Sequence, residues 1–109
     1  MLDLAQCNFD FRGFSPDQEF LAFLKTVAEQ IQVLSPNESF INIEINRKNS
    51  FYVGFINVNS APARFCAADN EDDPKLLVLK LASQIQRQIK NWKRFRFSKP
   101  YSEADVQAI

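Results

Sequence analysis

Residues 40–68 read FINIEINRKNSFYVGFINVNSAPARFCAA, and the spacing of their apolar positions decides the architecture. Ile41, Ile43 and Ile45 alternate with Asn42, Glu44 and Asn46. A period of two marks a strand with one face buried and one face in water. Arg47-Lys48-Asn49-Ser50 is a short polar stretch that fits a turn. FYVGFINV, residues 51–58, is apolar at positions of both parities, so it reads as a strand that is central or covered. Asn59-Ser60-Ala61-Pro62 supplies another turn, and ARFCAA, residues 63–68, a shorter strand. Connections this short join neighbours, so the stretch folds as an antiparallel meander.

Downstream the period changes from 2 to 3.6. In PKLLVLKLASQIQRQIKNWKRFRFSK, residues 74–99, Leu77, Val78, Leu81, Ala82, Ile85, Ile89 and Trp92 fall on one side of a helical wheel. Lys80, Arg87 and Arg94 recur at i, i+7 and i+14 on the opposite side, and Lys90 and Lys93 widen it. The result is an amphipathic helix over residues 74–93, with an apolar stripe for a core and a basic stripe for a partner. Asp73 before Pro74 is a start signal, because a carboxylate caps free amides and proline suits the first turn. Leu76 and Leu79 fall on the solvent side. Beyond Trp92, KRFRFSKPY interleaves cations with aromatics; Phe95 is expected to fold back on the edge of the core, with Phe97 and Tyr101 left open.

Upstream, residues 2–11 alternate with a change of parity near Gln6, which suggests a strand with a bulge or break there. Ser15-Pro16-Asp17-Gln18 matches a capping box, with Ser15 as N-cap, Pro16 in the first helical position and Gln18 in the third. A helix then runs to about Leu34, burying Phe20, Leu21, Leu24, Val27, Ala28, Ile31 and Leu34, and Ser35-Pro36-Asn37 ends it. The order is β-α-β-β-β-α. The first strand reaches the second through a helix, so that pair can be parallel with a right-handed crossover. The expected fold is a two-layer α+β domain: a four-stranded mixed sheet with two helices packed on one face. Residues 1–97 are expected to form this single domain and residues 98–109 a short polar tail.

Formal net charge is zero, yet the charges are unevenly placed. Residues 74–99 hold eight Lys or Arg and no acid, whereas residues 1–46 hold seven acids against Arg12 and Lys25, a net of −5. Asp69, Glu71, Asp72 and Asp73 add four negatives just before the basic block. Histidine is absent, which removes the commonest general base and metal ligand. Cys7 and Cys66 are expected to be free thiols in a reducing compartment. Two glycines cannot build a phosphate-binding glycine-rich loop. No run of about 18 apolar residues exists to span a membrane, and the first residues lack the pattern of a secretory signal. These features point away from an enzyme, a metal site or a small-molecule cofactor, and towards a cytoplasmic binding protein.

Residues 66–93, CAADNEDDPKLLVLKLASQIQRQIKNWK, resemble the end of the bacterial ribosome hibernation-promoting factors and ribosome-associated inhibitors, the sigma-54 modulation protein family. That family shows a strand ending H-A-S-A, an acidic E-G-E-D turn and a helix with K-L-x-R-Q-L-x-K-H-K. Ala67, Asp72-Asp73, Leu81, Ile85, Arg87-Gln88-Ile89-Lys90 and Lys93 occupy the corresponding places without a gap. The chain departs from the pattern at Cys66, Glu71, Lys75 and Leu79, and in the acidic character of its first helix. The resemblance implies a non-catalytic regulator of translation that binds the small ribosomal subunit and silences idle ribosomes, as in ribosome hibernation and the stress response. The expected RNA-binding residues are Lys80, Arg87, Lys90, Lys93 and Arg94, with Arg96 and Lys99 extending the track and Arg47, Lys48 and Arg64 as secondary contacts. The alternative is a diverged member that acts as a protein-interaction module or homodimer through Leu76, Leu79 and Phe97.

Overall fold

The computed structural model of the chain describes residues 6–98, with side chains as far as Phe95. Its elements are β1 (Cys7–Arg12), α1 (Gln18–Leu34), β2 (Phe40–Lys48), β3 (Phe51–Asn59), β4 (Arg64–Glu71) and α2 (Pro74–Ser98). The sheet order is β1-β2-β3-β4, with β1 parallel to β2 and the other pairs antiparallel. The fold is therefore the expected mixed sheet with two helices. Expectations for residues 2–5 and 99–109, including Lys99 and Tyr101, lie outside the described residues, as do the side chains of Arg96 and Phe97.

Alternation explains which side is covered. Ile41, Ile43, Ile45, Ile56 and Val58 have no exposed surface, and Phe65 and Ala67 continue the buried face on β4. Against them lie Phe20, Leu24, Val27, Ala28 and Ile31 of α1 and Leu77, Val78, Leu81, Ala82, Ile85 and Ile89 of α2. Each such side chain contributes roughly 1.5–3 kcal/mol when taken from water, so the apolar stripes explain why both helices settle on one face. Gly54 lets α2 come close: a Cβ there would sit 2.8 Å from Leu81 Cδ1. At one end of the core, Phe11, Phe14, Phe20 and Tyr52 meet edge to face.

Several boundaries differ from expectation. Asp17, not Ser15, caps α1: its Oδ1 accepts the Phe20 N–H at 2.8 Å. The carboxylate is the stronger acceptor for an amide at the positive end of a helix, and Pro16 falls before the cap. Arg47 and Lys48 belong to β2 rather than to a turn. The reversal needs only Asn49-Ser50, with Asn49 at φ 39°, and asparagine is tolerant of that left-handed backbone. β4 continues to Glu71 because α2 supplies polar partners for Asp69 and Glu71. α2 runs on to Ser98, past Lys93. Phe95 does not fold back and is 76% exposed; Trp92 makes that contact instead, its ring 6.0 Å from Phe65. β3 is central, but no described element covers its outer face.

Candidate nucleic-acid interface

The relative direction of the elements fixes where each cation lies. β2 and β4 both run antiparallel to β3, and α2 follows β4 directly and packs back along it. The start of α2 thus sits at the end of β4, and its Trp92 lies beside Phe65 at the beginning of β4. Arg64, the first residue of β4, is at that same end. Arg47 and Lys48, the last residues of β2, are at the opposite end.

The acidic turn before α2 and the first half of the helix form one polar unit. Asp73 Oδ1 accepts the Lys75 N–H at 3.2 Å and starts the helix. Lys80 Nζ donates to Glu71 Oε2 at 2.8 Å and lies 3.4 Å from Asp69 Oδ1. Gln84 Nε2 donates to Asp69 Oδ2 at 2.8 Å. The hydrogen bond to Glu71, followed by Asp69, holds the Lys80 ammonium above its ordinary pKa against the opposing pull of desolvation. The Asn70 backbone N–H, helped by Lys80 and Gln84, holds the Asp69 carboxyl below its ordinary range against the same pull. One ammonium between two carboxylates leaves this unit with a net negative charge. Lys80 therefore stands apart from the other cations of its stripe.

Arg87, Lys90 and Arg94 are exposed, and Lys93 is half-buried. Among the described residues no carboxylate lies within ion-pair distance of Arg87, Lys90 or Lys93. The helix therefore brings together four of the expected cations, Arg87, Lys90, Lys93 and Arg94; Arg64 is at the same end of the sheet, but it alternates with the buried Phe65 and so lies on the face turned away from the helices. Arg47 is elsewhere, with its guanidinium 5.9 Å from the centre of the Tyr52 ring, and Lys48 is beside it at the far end of the sheet. Leu76 and Leu79 are 44% and 51% exposed on the paired half of α2.

Gln88 has a role that periodicity did not reveal. Its side chain accepts the Cys66 N–H at 3.1 Å and donates to the Cys66 carbonyl at 2.7 Å. The amide thereby occupies part of the free edge of β4, where unpaired backbone groups would otherwise recruit another strand. Only the packing of α2 along β4 reveals this contact. No group of three or more His, Cys, Asp or Glu among the described residues could hold a metal ion, and no described helix is long and apolar enough to cross a membrane.

No protein-family model matches the chain, and no curated protein matches it in sequence. Solved structures do match in shape. The Thermus thermophilus Protein Y N-terminal domain superposes with a TM-score of 0.70 at 8% identity, covering 78% of this chain and 94% of that one. A ribosomal subunit interface protein from Coxiella burnetii superposes with a TM-score of 0.69 at 17% identity, covering 80% of this chain and 96% of that one. Both belong to the hibernation-promoting factor family, the one that residues 66–93 resemble. At these identities the likeness is one of fold.

Proposed function

We infer that this chain is a non-catalytic, ribosome-associated regulator in the cytoplasm, and that it binds small-subunit rRNA through the second half of α2. The observation that carries the reading is the separation of charge along that helix. Lys80 is committed to Asp69 and Glu71, while among the described residues Arg87, Lys90 and Lys93 face no carboxylate, and they stand with Arg94 on one side. The fold shared with a ribosomal subunit interface protein supports the choice of RNA. Phosphate oxygens are the ligands such cations take, and the contacts position a protein without reading sequence. A rigid helix also suits structured RNA, which is recognised mostly by shape and by its backbone. Occupying the subunit in this way would regulate translation by steric exclusion and needs no chemical step.

The test is co-sedimentation with purified ribosomal subunits for the wild type and for the double variant Arg87→Glu/Lys90→Glu. The wild type is expected to pellet with the small subunit and the variant to stay in solution with its circular dichroism unchanged. A wild type that never pellets, at any salt or magnesium concentration, contradicts the reading.

A further inference from the structure

α1 and α2 pack side by side, and where α1 ends they leave a groove of about 420 Å³ that opens to solvent. Gln30, Val33 and Leu34 of α1 line one bank, and Gln86 and Lys90 of α2 line the other. The volume lies within the roughly 300–1,000 Å³ of concave ligand sites, which also combine apolar walls with a few polar groups. Lys90 is at the same time one of the cations of the basic stripe, so the groove is continuous with the surface inferred to meet phosphates. We propose that an unpaired nucleobase sits in this groove while Lys90 holds its phosphate. The inference rests on the reading of α2 as an RNA-binding helix and extends it from backbone to base.

The two banks select the two ends of one nucleotide. The α1 bank is unsuited to a phosphate. It lies at the carbonyl end of its helix, where the dipole is negative, no basic residue stands in the last turn, and Glu29 is exposed just before Gln30. A neutral group meets no such penalty there, and the side chain of Val33, 80% exposed, offers it apolar surface. The α2 bank supplies the charge, with Lys90 one turn after Gln86. The amides supply the polar contacts. Gln32, Gln84 and Gln88 bind other groups of the chain, namely Gln6, Asp69 and Cys66. Among the described residues neither Gln30 nor Gln86 makes a hydrogen bond, and they line opposite banks of the groove. A flat group with apolar faces, polar edges and a negative charge at one end matches this lining, and a nucleotide is such a group.

The same lining sets the specificity. Bases inside a duplex keep their faces stacked, so only a base from a loop, bulge or end can enter. No aromatic ring lines the groove, and the face of the base lies on Val33 and Leu34 instead. Each glutamine amide carries both a donor and an acceptor and can turn to suit any base edge. The groove therefore distinguishes a base from no base far better than one base from another.

Fluorescence anisotropy of the full chain with two short labelled strands tests this. One is oligouridylate, and the other is an abasic ribose-phosphate strand of the same length and charge. The wild type is expected to bind oligouridylate about tenfold more tightly than the abasic strand, the lower range of what a held base contributes. Gln30→Ala/Gln86→Ala should bring that ratio close to one and leave both the abasic affinity and the salt dependence unchanged. Gln84→Ala, whose amide already binds Asp69, should keep the ratio of the wild type. In nitrogen-15 spectra the amides of residues 30–34 should shift with oligouridylate and not with the abasic strand. Equal affinity for the two strands overturns the base site and leaves the phosphate reading standing. A preference for oligouridylate that survives Gln30→Ala/Gln86→Ala, or that Phe55→Ala on the outer sheet face abolishes, places the base elsewhere and also overturns it. Failure of both strands to bind at any salt concentration overturns the inference together with the reading beneath it.

Discussion

The two halves of α2 share one buried stripe and carry opposite electrostatics. Leu77, Val78 and Leu81 in the first half are as fully buried as Ile85 and Ile89 in the second. On the outside, the first half meets Asp69 and Glu71 across the edge of β4, whereas in the second half Arg87, Lys90 and Lys93 pair with no acid among the described residues. Two lysines that look alike on a helical wheel, Lys80 and Lys90, therefore differ in kind. One is a structural ion-pair member and the other a surface charge available to a partner. Helical period identifies a face; what lies across from that face decides what each charge can do.

The buried stripe should be uniform, which gives the largest effects. Leu81→Ala and Ile85→Ala, one in each half, should each cost about 2–5 kcal/mol of stability, through lost burial and the cavity left behind. Chemical denaturation reads this, and a large cost in one half only would show that the halves differ inside as well as outside. The charges come next. Arg87→Glu/Lys90→Glu should lower small-subunit affinity by roughly 100-fold, about 2.7 kcal/mol, while Lys80→Glu should leave affinity within about twofold. Equal losses in both would erase the distinction between the halves.

Elements and core were readable because they rest on short-range periodicity. Alternation at Ile41, Ile43 and Ile45 and the 3.6 period from Leu77 to Ile89 are properties of consecutive residues, and the core consists of those positions. The commitment of Lys80 was not readable. It depends on residues nine and eleven positions away, placed on a strand that runs past the helix in the opposite direction. Phe95 departs from expectation for a related reason. The sequence shows an aromatic near a helix end but not that Trp92, three residues earlier, already fills the site against Phe65. The cap moved from Ser15 to Asp17 because two acceptors compete within three residues and only the backbone path chooses between them.

A smaller effect sharpens the role of Lys80. Lys80→Met should lower the melting temperature modestly near neutral pH and leave RNA binding unchanged. The sign of its pH dependence follows from the two shifts. Asp69 is depressed from 3.8, so its contribution is present above that value and is lost as pH falls through its lower folded value. Lys80 is raised from 10.5, so its contribution is present below that value and is lost as pH rises through its higher folded value. The gap between wild type and variant should thus be flat from about pH 5 to 9 and close at more acidic pH. The smallest effect belongs to Gln88→Ala, which uncovers the Cys66 backbone at the edge of β4. Stability should fall by about 1 kcal/mol, and concentration-dependent aggregation, followed by light scattering, should rise.

The central claim is that the second half of α2, with its neighbouring cations, holds RNA by its phosphates. The most direct test is the salt dependence of small-subunit binding. If about six phosphates are engaged, the logarithm of affinity should fall against the logarithm of salt concentration with a slope of roughly −4 to −5. A slope near zero would contradict the account.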